Sequence, residues 1–258
     1  MTTDAVVDVN VDMGESYGRW RLGDDAGMMP HVTSVNVACG FHAGDPGTLR
    51  ETVGQAVEHG LQIGAHISLP DVLGFGRRRM AISPEELEDY ALYQIGALQA
   101  FAMAAGGRVE HVKPHGALYV MCWESPEHAE AVARAQRAAG AGDLLYAFDL
   151  RQREATQRHG VRLVQEAFVD LWYDGEGHLL LERAKLHTDP ELAARRAIRL
   201  VREHRLETRD GNDIEIAPRT ICLHGDGPNG VEVARTVRAR LIEAGIELRA
   251  VRDDDGPA

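Results

Sequence analysis

Short β-type runs recur along this chain, each followed by a helical stretch, and this alternation constrains the fold more than any other feature. Ala5 to Val11 (AVVDVNV) opens the series. Ser34 to Ala38, Leu61 to Ala65, Val109 to Lys113, Leu144 to Phe148, Val161 to Ala167 and Thr220 to Leu223 continue it, and Ile246 to Val251 ends it. Between them, Pro46 to His59, Pro84 to Ala105, Pro126 to Ala139, Leu150 to His159, Pro190 to His204 and Asn229 to Ala244 have helical patterning. The helix from Pro84 is the best marked: Ser83 and Glu86 have capping-box spacing, proline stands at the first helical position, and Gly106 stops it. Strands that alternate with helices pair in parallel through right-handed crossovers. Seven or eight such units favour a closed barrel over an open sheet. With no linker rich in Pro, Gly or Ser, residues 1–258 read as one α/β domain. The irregular stretches are 12–30, 67–82 and 168–188, and loops of that length in a compact domain tend to carry function.

Composition narrows the function classes. The formal charge of −12 argues against nucleic acid or an anionic membrane as partner. Three dispersed cysteines, Cys39, Cys122 and Cys222, with no CxxC, speak against a disulfide framework or structural zinc. No apolar run approaches a membrane span, and Met1 to Val7 lacks the pattern of a signal peptide, so a cytoplasmic location is expected.

Chemistry-bearing residues gather where the strands end. The first strand runs into Asn10, Asp12 and Glu15. The second is followed by Cys39, His42 and Asp45. The third ends at His66, the fourth at Lys113 and His115. The sixth carries Glu166 and leads to Asp170, and the seventh ends at His224 and Asp226. In a (β/α) barrel these ends converge on one face, where such enzymes do their chemistry.

The segments NVDMGES (10–16), SVNVACGFHAGDP (34–46), IGAH (63–66), GFGRR (74–78), LYQIGAL (92–98), HVKPHGALY (111–119) and TICLHGD (220–226) resemble the LamB/YcsF family, in order and spacing, from about residue 6 to 251. The resemblance implies a seven-stranded (β/α) barrel of glycoside hydrolase/deacetylase type. It also implies ATP-dependent opening of 5-oxoproline, or a related lactam, to the amino acid, together with partner subunits B and C. The chain has no GxxxxGK[ST] phosphate loop, which agrees with ATP held on a partner. The pattern departs from the family in places. His66 is followed by Ile67-Ser68-Leu69-Pro70 where the family usually has proline at once. Leu171 stands where the family motif ends in arginine, and the elements normally found after it are missing from Leu179 to Asp189. The base set looks kept and the substrate pocket altered.

Asp12, His42 and His66 could form an open divalent-metal site, as in deacetylases of related fold, or a metal-free acid/base cluster. Lys113 is a candidate for oxyanion or carboxylate binding, or for an ion pair with Glu166. His115 is a candidate acid or base, and Glu15 a base or a loop cap. Asn10, Arg77, Glu166, Asp170, His224 and Asp226 are candidate substrate-binding residues. Asp45 reads most simply as a helix N-cap, and Cys39 as packing rather than a nucleophile. Two other readings stay open: a stand-alone metal-dependent amidase or deacetylase, and a non-catalytic paralogue that binds a metabolite or partner. Homo-oligomerisation is also left open.

Overall fold

The structure, a computed structural model, describes residues 5–180 and 186–252. Its strands are β1 (Val6–Met13), β2 (Ser34–Ala38), β3 (Gln62–Ile67), β4 (Val109–Pro114), β5 (Leu144–Ala147), β6 (Arg162–Phe168), β7 (Trp172–Tyr173), β8 (Leu179–Leu180), β9 (Arg205–Glu207), β10 (Asp213–Glu215), β11 (Thr220–His224) and β12 (Glu247–Leu248). Its helices are α1 (Asp25–Met28), α2 (Pro46–Glu58), α3 (Pro84–Ala104), α4 (Gly116–Glu124), α5 (Pro126–Ala138), α6 (Arg153–Gln157), α7 (Pro190–Glu203) and α8 (Gly230–Glu243). The main sheet has the order β11-β6-β5-β4-β3-β2-β1-β12, and β11 also pairs with β1. Strands β1 to β6 and β11 therefore make the closed seven-stranded barrel expected. Among the described residues, no helix is long and apolar enough to cross a membrane.

Four helices begin by one device. Asp45, Ser83, Ser125 and Asp189 each accept backbone N–H bonds with a side-chain oxygen, and proline follows at the first helical position. Each cap contributes about 1 kcal/mol, and proline costs nothing where no N–H partner exists. Asp45 is thus a cap, and it also accepts from Gly18 N at 2.8 Å.

Several elements differ from the expectations. The helix read over Leu150 to His159 shortens to α6, and the final strand to the two residues of β12, paired with Val6 and Val7. Helix α4 follows His115 at once. The stretch 12–30 holds α1 and a 3-10 turn at Met29–His31. The stretch 168–188 holds the antiparallel pair β7 and β8; its residues 181–185, part of the rewritten Leu179 to Asp189 segment, lie outside the described residues.

The chain divides into two compact units: residues 12–22 with 35–164, and residues 1–11 with 23–34 and 165–258. In the first, β3 and β4 pair in register His66↔Lys113, with an irregularity after Ile63 that sets His111 opposite Gly64. A Cβ on residue 64 would overlap the His111 ring, so glycine clears the space for it. In the second, Asp8 accepts from the hydroxyls of Thr33, Ser34 and Thr220, and Asn10 donates to Glu166 at 2.9 Å and to Thr220 at 2.7 Å. Apart from the half-buried Thr33 this polar web is buried, and its members hydrogen-bond to one another, as buried polar groups must.

Candidate active site

In the unit that holds β3 and β4, the strand ends bring Asp12, Glu15, His42, His66, Lys113 and His115 together. Asp12 Oδ1 accepts from Lys113 Nζ at 2.9 Å and from Asn36 Nδ2 at 2.8 Å. Its Oδ2 lies 3.3 Å from His66 Nε2. Asn36 is itself oriented, because its Oδ1 accepts from His111 Nε2 at 2.7 Å. His111 stacks on the buried ring of Tyr146, centroids 4.1 Å apart. A chain of donors thus runs from the core to the carboxylate that the first strand presents.

Beside it, three imidazoles pack tightly. The rings of His42 and His115 are parallel, with centroids 3.9 Å apart, and His66 meets both edge-on. Glu15 Oε1 lies 3.3 Å from His42 Nε2 and 3.9 Å from His115 Nδ1. Main-chain carbonyls fix two of the tautomers. His66 Nδ1–H donates to Lys113 O at 3.1 Å, and His115 Nε2–H donates to Phe75 O at 2.8 Å. The remaining nitrogens, His66 Nε2 and His115 Nδ1, face each other at 2.9 Å. Burial, and then the neighbouring imidazoles, hold His42 and His115 well below the usual histidine range. Both rings are therefore neutral at physiological pH.

The 67–82 loop covers this group. Phe75, with φ of 54°, sets its ring edge-on to His42 and His115. Gly76 follows at φ 64°, where a Cβ would overlap Ser68 Oγ and meet His115 Cδ2 at 2.8 Å. Of the loop's three arginines, Arg78 pairs with Asp71, and Arg79 with Glu124 at 2.7 Å. Arg77 is exposed, its guanidinium 5.2 Å from the Phe75 ring centroid.

The other unit carries a second group. Asp170 accepts from His224 N at 2.9 Å and from His224 Nδ1 at 3.0 Å, which leaves His224 Nε2 as the reactive nitrogen. Arg196 of α7 donates to the carbonyls of Val169 and Leu171, on either side of Asp170, and lies over the Trp172 ring. His224, Arg196, Trp172 and Asn229 are among the residues around a cavity of about 330 Å³. Asp226 lines a neighbouring hollow with Gly23 and Arg235.

Of the residues read from the sequence, Asp12, Glu15, His42, His66, Lys113 and His115 cluster in the unit of β3 and β4, and Asp170 pairs with His224 in the other. Asn10 and Glu166 are fully buried and brace strands. Within the unit that holds β3 and β4, a group able to hold a metal is Glu15, His42, His66 and His115, whose ligand atoms all lie within 4.8 Å of one another. It keeps His42 and His66 of the trio read from the sequence and has Glu15 and His115 where that trio had Asp12. Burial pushes the Cys39 thiol up to about 12, so it is no thiolate at neutral pH. Sequence reasoning missed Asn36, His111, Phe75 and Arg196. For Asn36 and His111 the signal existed: each is a polar residue next to valine within a buried strand.

Comparison with known proteins agrees along the whole chain. The family model described as LamB/YcsF matches residues 7–255. A protein named as the A subunit of 5-oxoprolinase, from Bacillus thuringiensis subsp. konkukian, is 43% identical over 254 residues, 97% of this chain and 99% of the relative. The crystal structure of a lactam utilization protein from Thermus thermophilus is 46% identical, with a TM-score of 0.87, over 95% of this chain and 100% of that one. The catalytic domain of a peptidoglycan N-acetylglucosamine deacetylase from Eubacterium rectale ATCC 33656 shares the fold alone, with 9% identity and a TM-score of 0.52 over 99% of this chain and 92% of that one.

Proposed function

The chain belongs to the LamB/YcsF family, and from that premise we propose that it hydrolyses 5-oxoproline, or a closely related lactam, as the A-type component of an ATP-dependent complex with partner subunits B and C. The observation that carries this reading is the full-length likeness to a protein named as the A subunit of 5-oxoprolinase. The Asp12–Lys113–His66 arrangement supports it chemically.

In this reading, Asp12 is the base. Lys113 and Asn36 hold one of its oxygens, and the other takes a proton from water. The hydroxide adds to the lactam carbonyl carbon. The oxygen on that carbon carries the phosphoryl group that a partner subunit has transferred from ATP; the C–N bond breaks, the proton held by Asp12 passes to the leaving nitrogen, and a second water hydrolyses the acyl phosphate to carboxylate and phosphate. The Lys113 ammonium, already directed at the cluster, offsets the negative charge that develops. ATP is assigned to a partner subunit, as the family resemblance implies, and the lack of a GxxxxGK[ST] loop agrees with that.

The test is glutamate formation from 5-oxoproline by the purified chain, with and without ATP and with and without subunits B and C. Glutamate is expected only from the complete mixture. No glutamate under any condition, together with ATP-independent turnover of another amide, would overturn the reading.

A further inference from the structure

His66 and His115, with His42 and Glu15, bring four ligand-type atoms within 4.8 Å of one another. The His66 and His115 rings each spend one N–H on a main-chain carbonyl, at Lys113 O and Phe75 O. Their remaining nitrogens, His66 Nε2 and His115 Nδ1, lie 2.9 Å apart. Glu15 Oε1 and His42 Nε2 border the same point.

We propose that Glu15, His42, His66 and His115 bind one first-row divalent metal ion, with His66 Nε2 and His115 Nδ1 as its principal ligands. The spacing fits. With metal–nitrogen bonds of about 2.1 Å, ligands at right angles lie about 3.0 Å apart, and ligands at the tetrahedral angle about 3.4 Å. The His66–His115 and Glu15–His42 separations, 2.9 Å and 3.3 Å, match these edges, and the 3.9 Å between Glu15 and His115 closes by a small side-chain adjustment when an ion binds. The carbonyls of Lys113 and Phe75 are the outer partners that orient metal-bound histidines. A borderline ion such as zinc suits three imidazoles and a carboxylate. His42 is the weakest of the four ligands, because its Nδ1 is buried without a hydrogen-bond partner. When bound, the ion supplies Lewis-acid polarisation of a carbonyl or acidification of a water.

This metal site lies in the cluster assigned above to lactam opening but does not depend on that activity. The full-length chain, stripped with chelator, is titrated with Zn²⁺ by calorimetry and with Co²⁺ by its visible d–d bands, without substrate, ATP or partners. One ion per chain is expected. His66→Gln and His115→Gln should each weaken binding about 100-fold, Glu15→Gln about 10-fold, and His42→Gln least. Circular dichroism and thermal melting check that each variant folds, and Glu15→Gln, at the rim, is the change least able to disturb the core. Absence of saturable binding by the unmodified chain would overturn the proposal, as would binding unaltered by both His115→Gln and Glu15→Gln. An inactive lactam assay leaves the titration unaffected, so the two readings fail separately.

Discussion

Lys113 Nζ donates to Asp12 Oδ1 at 2.9 Å, joining the ends of β4 and β1 through two largely buried side chains. Removing one member of such a pair strands the other. Lys113→Met should lower unfolding free energy by about 3 kcal/mol and turnover by at least about 100-fold. Urea unfolding and glutamate production measure the two effects. Unchanged turnover in a folded variant would take this pair out of the chemistry.

Gly76 is placed where a side chain has neither space nor a favourable backbone. Its φ is 64°, and a Cβ would press on Ser68 Oγ and His115 Cδ2. Gly76→Ala should cost about 1–3 kcal/mol and shift His115 from its bond to Phe75 O. A melting temperature lowered by several degrees, with reduced turnover, is the expected pair of results. A variant as stable and as active as the parent would show that the loop is not held as described.

His111 predicts a pH dependence of stability. Burial, reinforced by Lys113, pushes it down to about 3. Its Nε2–H serves Asn36, while its Nδ1 has no acceptor to receive a second N–H. In the unfolded chain the ring takes up a proton near its ordinary value of 6.5. Between about pH 6.5 and 3 the unfolded state therefore binds more protons, so stability falls as pH falls through that window. His111→Asn, measured by denaturant unfolding, should flatten this slope although it lowers stability at pH 7. A slope identical to the parent's would assign the acid sensitivity to other groups.

Much of the fold was legible because burial and periodicity are local signals. The strand runs and the Ser-Pro and Asp-Pro helix starts each announce an element, and the closing of strands β1 to β6 and β11 follows from their parallel alternation. Helix α4 was not legible. It is apolar all round, opens on Gly116, and its cap residue His115 makes no side-chain cap bond. The hairpin β9–β10 was overlooked although Asp210-Gly211 marks its turn, because its strands have only three residues each. For the site, the strand ends pointed to Asp12, His66, Lys113 and His115. The residues that orient them are set deeper. Asp8, Asn10 and Asp12 alternate with Val7, Val9 and Val11, and that period of two was the available sign of a polar stripe within β1. Arg196 was invisible because it looked like one more charge on an amphipathic helix, and only the chain path shows that it reaches the Asp170 loop.

Cys39 lies close in sequence to His42, yet it is buried, its Sγ directed at Val37 O, and its thiol stands at about 12. Cys39→Ala should keep turnover within about twofold, with a small loss of stability from the vacated volume. In the native chain the thiol should resist iodoacetamide at neutral pH and react only after unfolding. Rapid alkylation of the native protein at this residue, accompanied by loss of activity, would restore it as a nucleophile.

The His224–Asp170 pair predicts a change that can be read without any assay of activity. The carboxylate accepts from both the backbone N–H and Nδ1–H of His224, so it selects the tautomer that leaves Nε2 as an acceptor. An amide at position 170 has only one oxygen. If that oxygen keeps the backbone N–H, the amide NH₂ faces Nδ1, which must then become the acceptor, and the proton moves to Nε2. Nitrogen-15 shifts of the imidazole should therefore exchange between parent and Asp170→Asn, and turnover should fall by at least about tenfold if Nε2 acts as an acceptor on substrate. Arg196→Met separates position from charge. It removes the donor to the carbonyls of Val169 and Leu171, costing about 1–3 kcal/mol for the buried acceptors left unpaired, but keeps the carboxylate. The His224 tautomer should survive that change while the loop loses protection from hydrogen exchange. An imidazole spectrum indifferent to Asp170→Asn would mean that Asp170 does not set the state of His224 in solution.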